Sequence, residues 1–241
     1  MKTNYLLLTT VTLLVMSAGA LFAGGPTSGD ASASGVSGVV KFQGSALKPS
    51  RIDMSSDPNC AKAHPTPATT EDLITGNNGG LENVIVYVAD GLGDKTFEPP
   101  SQPASIEQKG CTYKPHVLAM QANQKLQVVN ADSTTHNIHP MPANNREWNK
   151  TQPPGVPIEE TFAREEISIP VKCNIHPWMH GYIAVFKHPF FAVSDKNGDF
   201  ELKDLPAGTY TIKAWHEKLG TLSQKITVSG PGQKIEFDFK Q

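Results

Sequence analysis

Past its first 23 residues the sequence has no apolar run near the about 20 residues that a membrane-spanning helix needs. A basic excess is missing too. The 21 Lys and Arg face 23 Asp and Glu, a formal net charge of −2 that offers no field for nucleic acid. Helical periodicity is absent from every window beyond the N-terminal apolar stretch. Cysteine is scarce, with three in 241 residues and no C-x-x-C-H run for covalent haem attachment. These absences leave a near-neutral chain without a membrane span, built from strands.

What is present begins with a leader. Residues 1–23 read as a secretory signal: Lys2 is the charged start, 5–16 the apolar stretch, and 17–23 small residues with cleavage expected after Ala20 or Ala23. Residues 24–35 are Gly, Ser and Ala with almost nothing to bury, and read as a flexible leader. A periplasmic or secreted location follows, an oxidising compartment in which thiols tend to pair.

From Val39 onward, short alternating or β-branched runs lie between Gly, Pro, Asn and Asp. They fall at 39–42, 84–88, 117–120, 125–130, 166–171, 182–186, 209–215 and 235–239. The class is all-β. Residues 140–157 carry five prolines and read as a long excursion between strands. Near the end, DKNGDF and LPAGTYTI mark turns leading into strands, and IEFDF alternates cleanly.

The chemistry sits in ISIPVKCNIHPWMHGYIAVF, residues 167–186. A strand leads to Cys173, a tight loop follows, and a second strand opens at Gly181. The loop places a thiol, an imidazole and a thioether at Cys173, His176 and Met179. Copper cycling between two oxidation states favours two imidazoles and a thiolate near one plane, with a weak axial thioether. The second imidazole must come from outside the loop. VVNADSTTHNIHP supplies His136 at the end of a strand, with His139 as competitor. Zinc takes the same nitrogen and sulfur donors but rarely methionine.

CNIHPWM and HNIH resemble the copper loop and upstream histidine of the cupredoxins, blue-copper proteins of the amicyanin and plastocyanin type, over about residues 104–186. The resemblance implies a Greek-key β-sandwich holding one mononuclear type 1 copper. It also implies that the first His of the H-N-x-H stretch, His136, is a ligand, and that Asn137 ties the two ligand segments together. Electrons would pass through an exposed His176 within an apolar patch beside Pro177 and Trp178. A ligand shell that suits both oxidation states favours a one-electron carrier, not an enzyme, serving redox partner proteins.

Cys60 and Cys111 lie in turn-like surroundings, and a disulfide between them would leave Cys173 free. Alternatively the two thiols, with the neighbouring His64 and His116, could form a tetrahedral metal site. His180, His188 and His216 have no partner at ligand spacing and read as surface or strand-end residues.

FFAVSDKNGDFELKDLPAGTYTIKAWH resembles the second half of carboxypeptidase regulatory-like domains, which are small transthyretin-like sandwiches, and GVSGVVKFQGSALKP resembles their start. The expected organisation is therefore a copper domain of residues 104–186 inserted into a second, discontinuous sandwich of residues 36–103 and 187–241, the alternative being a copper domain with N-terminal additions and a separate C-terminal module. Such flanks often contact polysaccharide or cell surfaces. The competing function is accordingly a carbohydrate- or surface-binding module whose metal site is structural or absent.

Overall fold

The computed structural model describes Met1 and residues 35–45, 48–76, 78–230 and 232–241. The expected signal and most of the expected leader lie outside the described residues. Among those described, no helix is long and apolar enough to cross a membrane.

The fold is all-β. In chain order it runs β1 (Val36–Gln43), a short helix α1 (Pro58–Ala63), β2 (Ile85–Asp90), β3 (Ala104–Gln108), β4 (Tyr113–Lys114), β5 (Val117–Gln121), β6 (Lys125–Asn130) and β7 (His136–Pro140). It continues with β8 (Lys150–Gln152), β9 (Ile158–Thr161), β10 (Glu166–Lys172), β11 (His180–Phe186) and β12 (Phe191–Val193). The last elements are β13 (Asp199–Leu202), β14 (Gly208–His216), β15 (Gly220–Val228) and β16 (Gln233–Lys240). Among the described residues four sheets result, ordered β13-β1-β16, β12-β2-β14-β15, β4-β3-β6-β9 and β5-β11-β10-β7-β8.

Two apolar clusters divide these sheets into pairs. One is filled by Val36 and Val40 of β1, Val86 and Val88 of β2, Ile212 of β14 and Phe237 of β16. The other is filled by Ile106, Met120, Leu126 and Val128 on one flank and Ile138, Ile169, Val171 and Ile183 on the other. A third, smaller cluster joins the pairs through Ile85, Val117, Ala184 and Phe186. Strand period explains who goes where, because successive side chains point to opposite faces. In β11, Ile183 and Val185 enter the second core while Ala184 and Phe186 enter the junction. That strand therefore reads as one continuous apolar run, as a strand covered on both faces should.

Chain ends and middle are woven together. β1 pairs in parallel with β16 along its whole length, from Val36↔Gln233 to Gln43↔Lys240, and antiparallel with β13. β2 lies between β12 and β14. The DKNGDF turn forms as its residues predict: Gly198 adopts φ +82°, and Asp195 Oδ1 accepts the N–H groups of Asn197 and Asp199.

One stretch departs from the expected boundaries. Residues 51–68, expected to belong with the flanking sandwich, pack Met54 and Cys60 into the second core, with Ile52 and Ala68 against it. They form a cover held at its ends by Ile52 N–H to Ala68 O, 2.9 Å, and Thr70 N–H to Ser50 O, 2.9 Å. Within it α1 starts on Asp57, whose carboxylate accepts from Asn59 and Cys60 N–H, with Pro58 in the first turn. Six residues are too few to show a helical period, so α1 was not legible as a helix.

Candidate metal centre

The β10–β11 hairpin delivers three of the expected residues on one loop. Val171 pairs with Gly181 and Lys172 with His180, so residues 173–179 form the connection. Cys173 N–H donates to Met179 O at 3.0 Å, and Met179 N–H donates to His176 O at 2.9 Å, which closes the loop on itself. Glycine is required at 181 by close approach, since a Cβ there would lie 2.6 Å from the His116 carbonyl oxygen.

His136 opens β7, next to β10 in the same sheet. Its Nδ1 lies 3.0 Å from His176 Nδ1, and Cys173 Sγ lies 3.8 Å from that same His176 nitrogen. Ligand atoms of His136, Cys173 and His176 all fall within 4.8 Å of one another. All three are buried, as is Met179, which packs in the same core. His139 turns away to bond Glu147 at 2.6 Å and does not join the cluster.

Each imidazole is also held from behind by a carboxylate. His136 Nε2 meets Asp132 Oδ2 at 2.8 Å, and His176 Nε2 meets Asp57 Oδ2 at 3.0 Å. With Nε2–H donated outward, the neutral form of each ring has its Nδ1 lone pair on the cluster side, the tautomer a metal ligand needs. The carboxylates are themselves fixed. Asp132 accepts N–H from Gly110 and Cys111, both at 2.7 Å, and Asp57 accepts the Thr134 hydroxyl at 3.1 Å. Asn137 accepts from Asn174 N–H at 3.1 Å, which joins β7 to the loop.

Electrostatics follow from these contacts. Burial opposes the Cys173 thiolate, but His136 and the N–H groups of His176, Ile175 and Asn137 outweigh it and bring the thiol down to about 7. Burial likewise opposes the His136 imidazolium, yet Asp132 and Cys173 raise it to about 9. The His176 contact is the largest influence holding Asp57 down, to about 2. Two buried imidazoles and a thiol inclined to ionise, in an otherwise apolar core, fit a borderline-soft metal ion such as copper or zinc.

Cys60 and Cys111 are joined as a disulfide, and Cys173 is the free cysteine. The alternative tetrahedral site is thereby excluded: His64 bonds Gly110 O at 2.5 Å, while His116 contacts Glu217. His176 differs from expectation. It is 2% exposed, covered by Asp57 and the cover segment, with the Trp178 ring 5.2 Å away and Trp178 Nε1–H donating to Cys111 O at 3.1 Å. An exposed imidazole port is therefore not what this surface presents. Asp57 and Asp132 carried no signal of this role in the sequence, apart from the cap pattern at Asp57-Pro58.

No protein-family model matches the chain, and no curated protein matches it. Solved structures do. A copper-containing nitrite reductase from Thermus scotoductus SA-01 aligns at 23% identity over 42% of this chain and 25% of its own, TM-score 0.34. A purple cupredoxin from Nitrosopumilus maritimus aligns at 24% identity over 34% of this chain and 98% of its own, TM-score 0.30. A reduced amicyanin variant aligns at 16% identity over 42% and 97%, TM-score 0.32. These likenesses are partial. The present chain spans about a quarter of the reductase's length.

Proposed function

We propose that this chain is an exported copper protein that carries single electrons, with His136, Cys173, His176 and Met179 as the ligands of one type 1 site in a cupredoxin-like sandwich. The observation that carries the reading is the buried convergence of two Nδ1 atoms and one thiol, with a carboxylate behind each imidazole. Copper, when bound there, supplies a one-electron couple.

The protein's own groups do the rest. Asp132 and Asp57 orient the imidazoles and hold their outer protons. N–H groups at 137, 175 and 176 stabilise charge on Cys173 sulfur. The closed loop and surrounding core exclude water and limit rearrangement between oxidation states, which favours electron transfer over substrate chemistry. Met179, buried at the end of the loop, would be the weak fourth donor.

Export is supported by the disulfide, which suits an oxidising compartment. The strands around the first core, drawn from both ends of the described chain, support a copper unit inserted into a second sandwich. Redox partner proteins would supply and accept the electron. A spectroelectrochemical titration of copper-loaded protein tests this: one reversible one-electron step is expected, and irreversible reduction or loss of copper on reduction would count against a carrier.

A further inference from the structure

A second group of converging donors lies outside the loop cluster. His116, His180 and Glu217 offer ligand atoms that all fall within 4.8 Å of one another. His116 immediately precedes β5 and His180 opens β11, neighbouring strands of one sheet, while Glu217 follows β14 in the sheet stacked against it. The site therefore spans the junction. Among the described residues, the two other His-carboxylate clusters that include a cysteine, Asp57/Cys60/His176 and Cys111/Asp132/His136, use sulfurs already in the disulfide. The junction group has no such defect.

Its geometry suits a cation. The two imidazoles are 5.3 Å apart, edge to face. His116 Nε2 meets Glu217 Oε1 at 2.5 Å, both side chains only 4% exposed. His180 Nδ1 donates to Trp178 O at 3.1 Å, which leaves its Nε2 as the lone-pair nitrogen of the neutral ring, and that nitrogen faces Asp72 Oδ1 at 3.1 Å. Lone pair against carboxylate is repulsive unless positive charge lies between or on them. His116 Nδ1 turns outward to Glu71 Oε2, 3.8 Å away. His180 thus has one nitrogen anchored to an outer oxygen and the other directed at a carboxylate, the arrangement ligating histidines adopt, and His116 Nε2 is likewise directed at a carboxylate. Glu71, Asp72 and Glu217 gather here, with Lys218 3.3 Å from Asp72.

We propose that His116, His180 and Glu217 bind a divalent transition-metal ion of the zinc type, with Asp72 beside them, and so clamp the flanking sandwich to the strand that follows the Cys173–Met179 loop. Two imidazoles and a carboxylate are a familiar donor set for zinc, and an open fourth position is left for water or Asp72. The proposal does not depend on copper at the other cluster.

The test uses full-length protein carrying Cys173→Ala, which removes the thiolate of the other cluster, titrated calorimetrically with Zn(II). One ion per chain is expected. Glu217→Gln, which keeps side-chain size, and the half-buried His180→Gln should each weaken binding at least tenfold, with the circular dichroism of both metal-free variants showing the fold retained and the melting temperature unchanged for His180→Gln. Absence of zinc binding by the Cys173→Ala protein, or affinity unaltered by both further substitutions, would overturn the proposal and leave His116 and Glu217 as an ion pair only.

Discussion

The Cys60–Cys111 bond links residues separated by 51 positions and anchors the cover segment over His176. Closing a loop of that length removes about 14 cal/mol/K from the unfolded chain, or about 4 kcal/mol at 25 °C in the chain-entropy treatment. The local consequence is as specific as the global one. A helix as short as α1 cannot persist alone, and it carries the Asp57 cap whose carboxylate holds His176 Nε2. Cys60→Ala/Cys111→Ala should therefore lose about 4 kcal/mol, read from urea unfolding by the fluorescence of Trp148 and Trp178, which pack against that core. Copper affinity should fall as well, since His176 loses its outer partner. A stability loss below about 1 kcal/mol, with copper affinity intact, would refute the reasoning that the bond holds the cover in place.

Three further outcomes follow from other parts of the fold. Asp57→Ala, which removes the carboxylate behind His176 without touching the cluster interior, should weaken Cu(II) binding by about 10- to 100-fold in a competition assay with a chelator. His216 is 1% exposed, and burial lowers its pKa to about 4. Because the unfolded chain then takes up this proton first, the neutral ring's contribution is fully present above about 6.5. It is lost as pH falls from there toward 4, by about 3 kcal/mol in all, and His216→Gln should flatten that part of the stability profile measured by urea midpoints. Phe237→Ala, at a site 0% exposed in the first core, should cost about 3–5 kcal/mol by thermal or urea unfolding.

The loop was legible because its candidate residues are local. Cys173, His176 and Met179 fall within seven residues between two strands, so spacing alone brings them to one hairpin connection. The resemblance pointed to His136 over His139, and the structure brings His136 beside Cys173 and His176 because His136 and Ile138 share the inward face of β7, while His139 lies on the other. Asp57, Asp132 and the junction group were not legible, because each depends on long-range pairing. His116 and His180 meet only because β5 and β11 run parallel side by side, with Tyr182 opposite Val117. Strands as short as β4 and β8 have too few residues to display a period.

Copper ligation by Cys173 is open to direct measurement. One equivalent of Cu(II) added to metal-free protein should produce an intense visible thiolate-to-copper charge-transfer band, and Cys173→Ala should abolish it while circular dichroism and the melting curve stay as in the unsubstituted protein. A chain that takes up no Cu(II), or a Cys173→Ala variant that keeps the band, would contradict a copper centre at His136, Cys173, His176 and Met179.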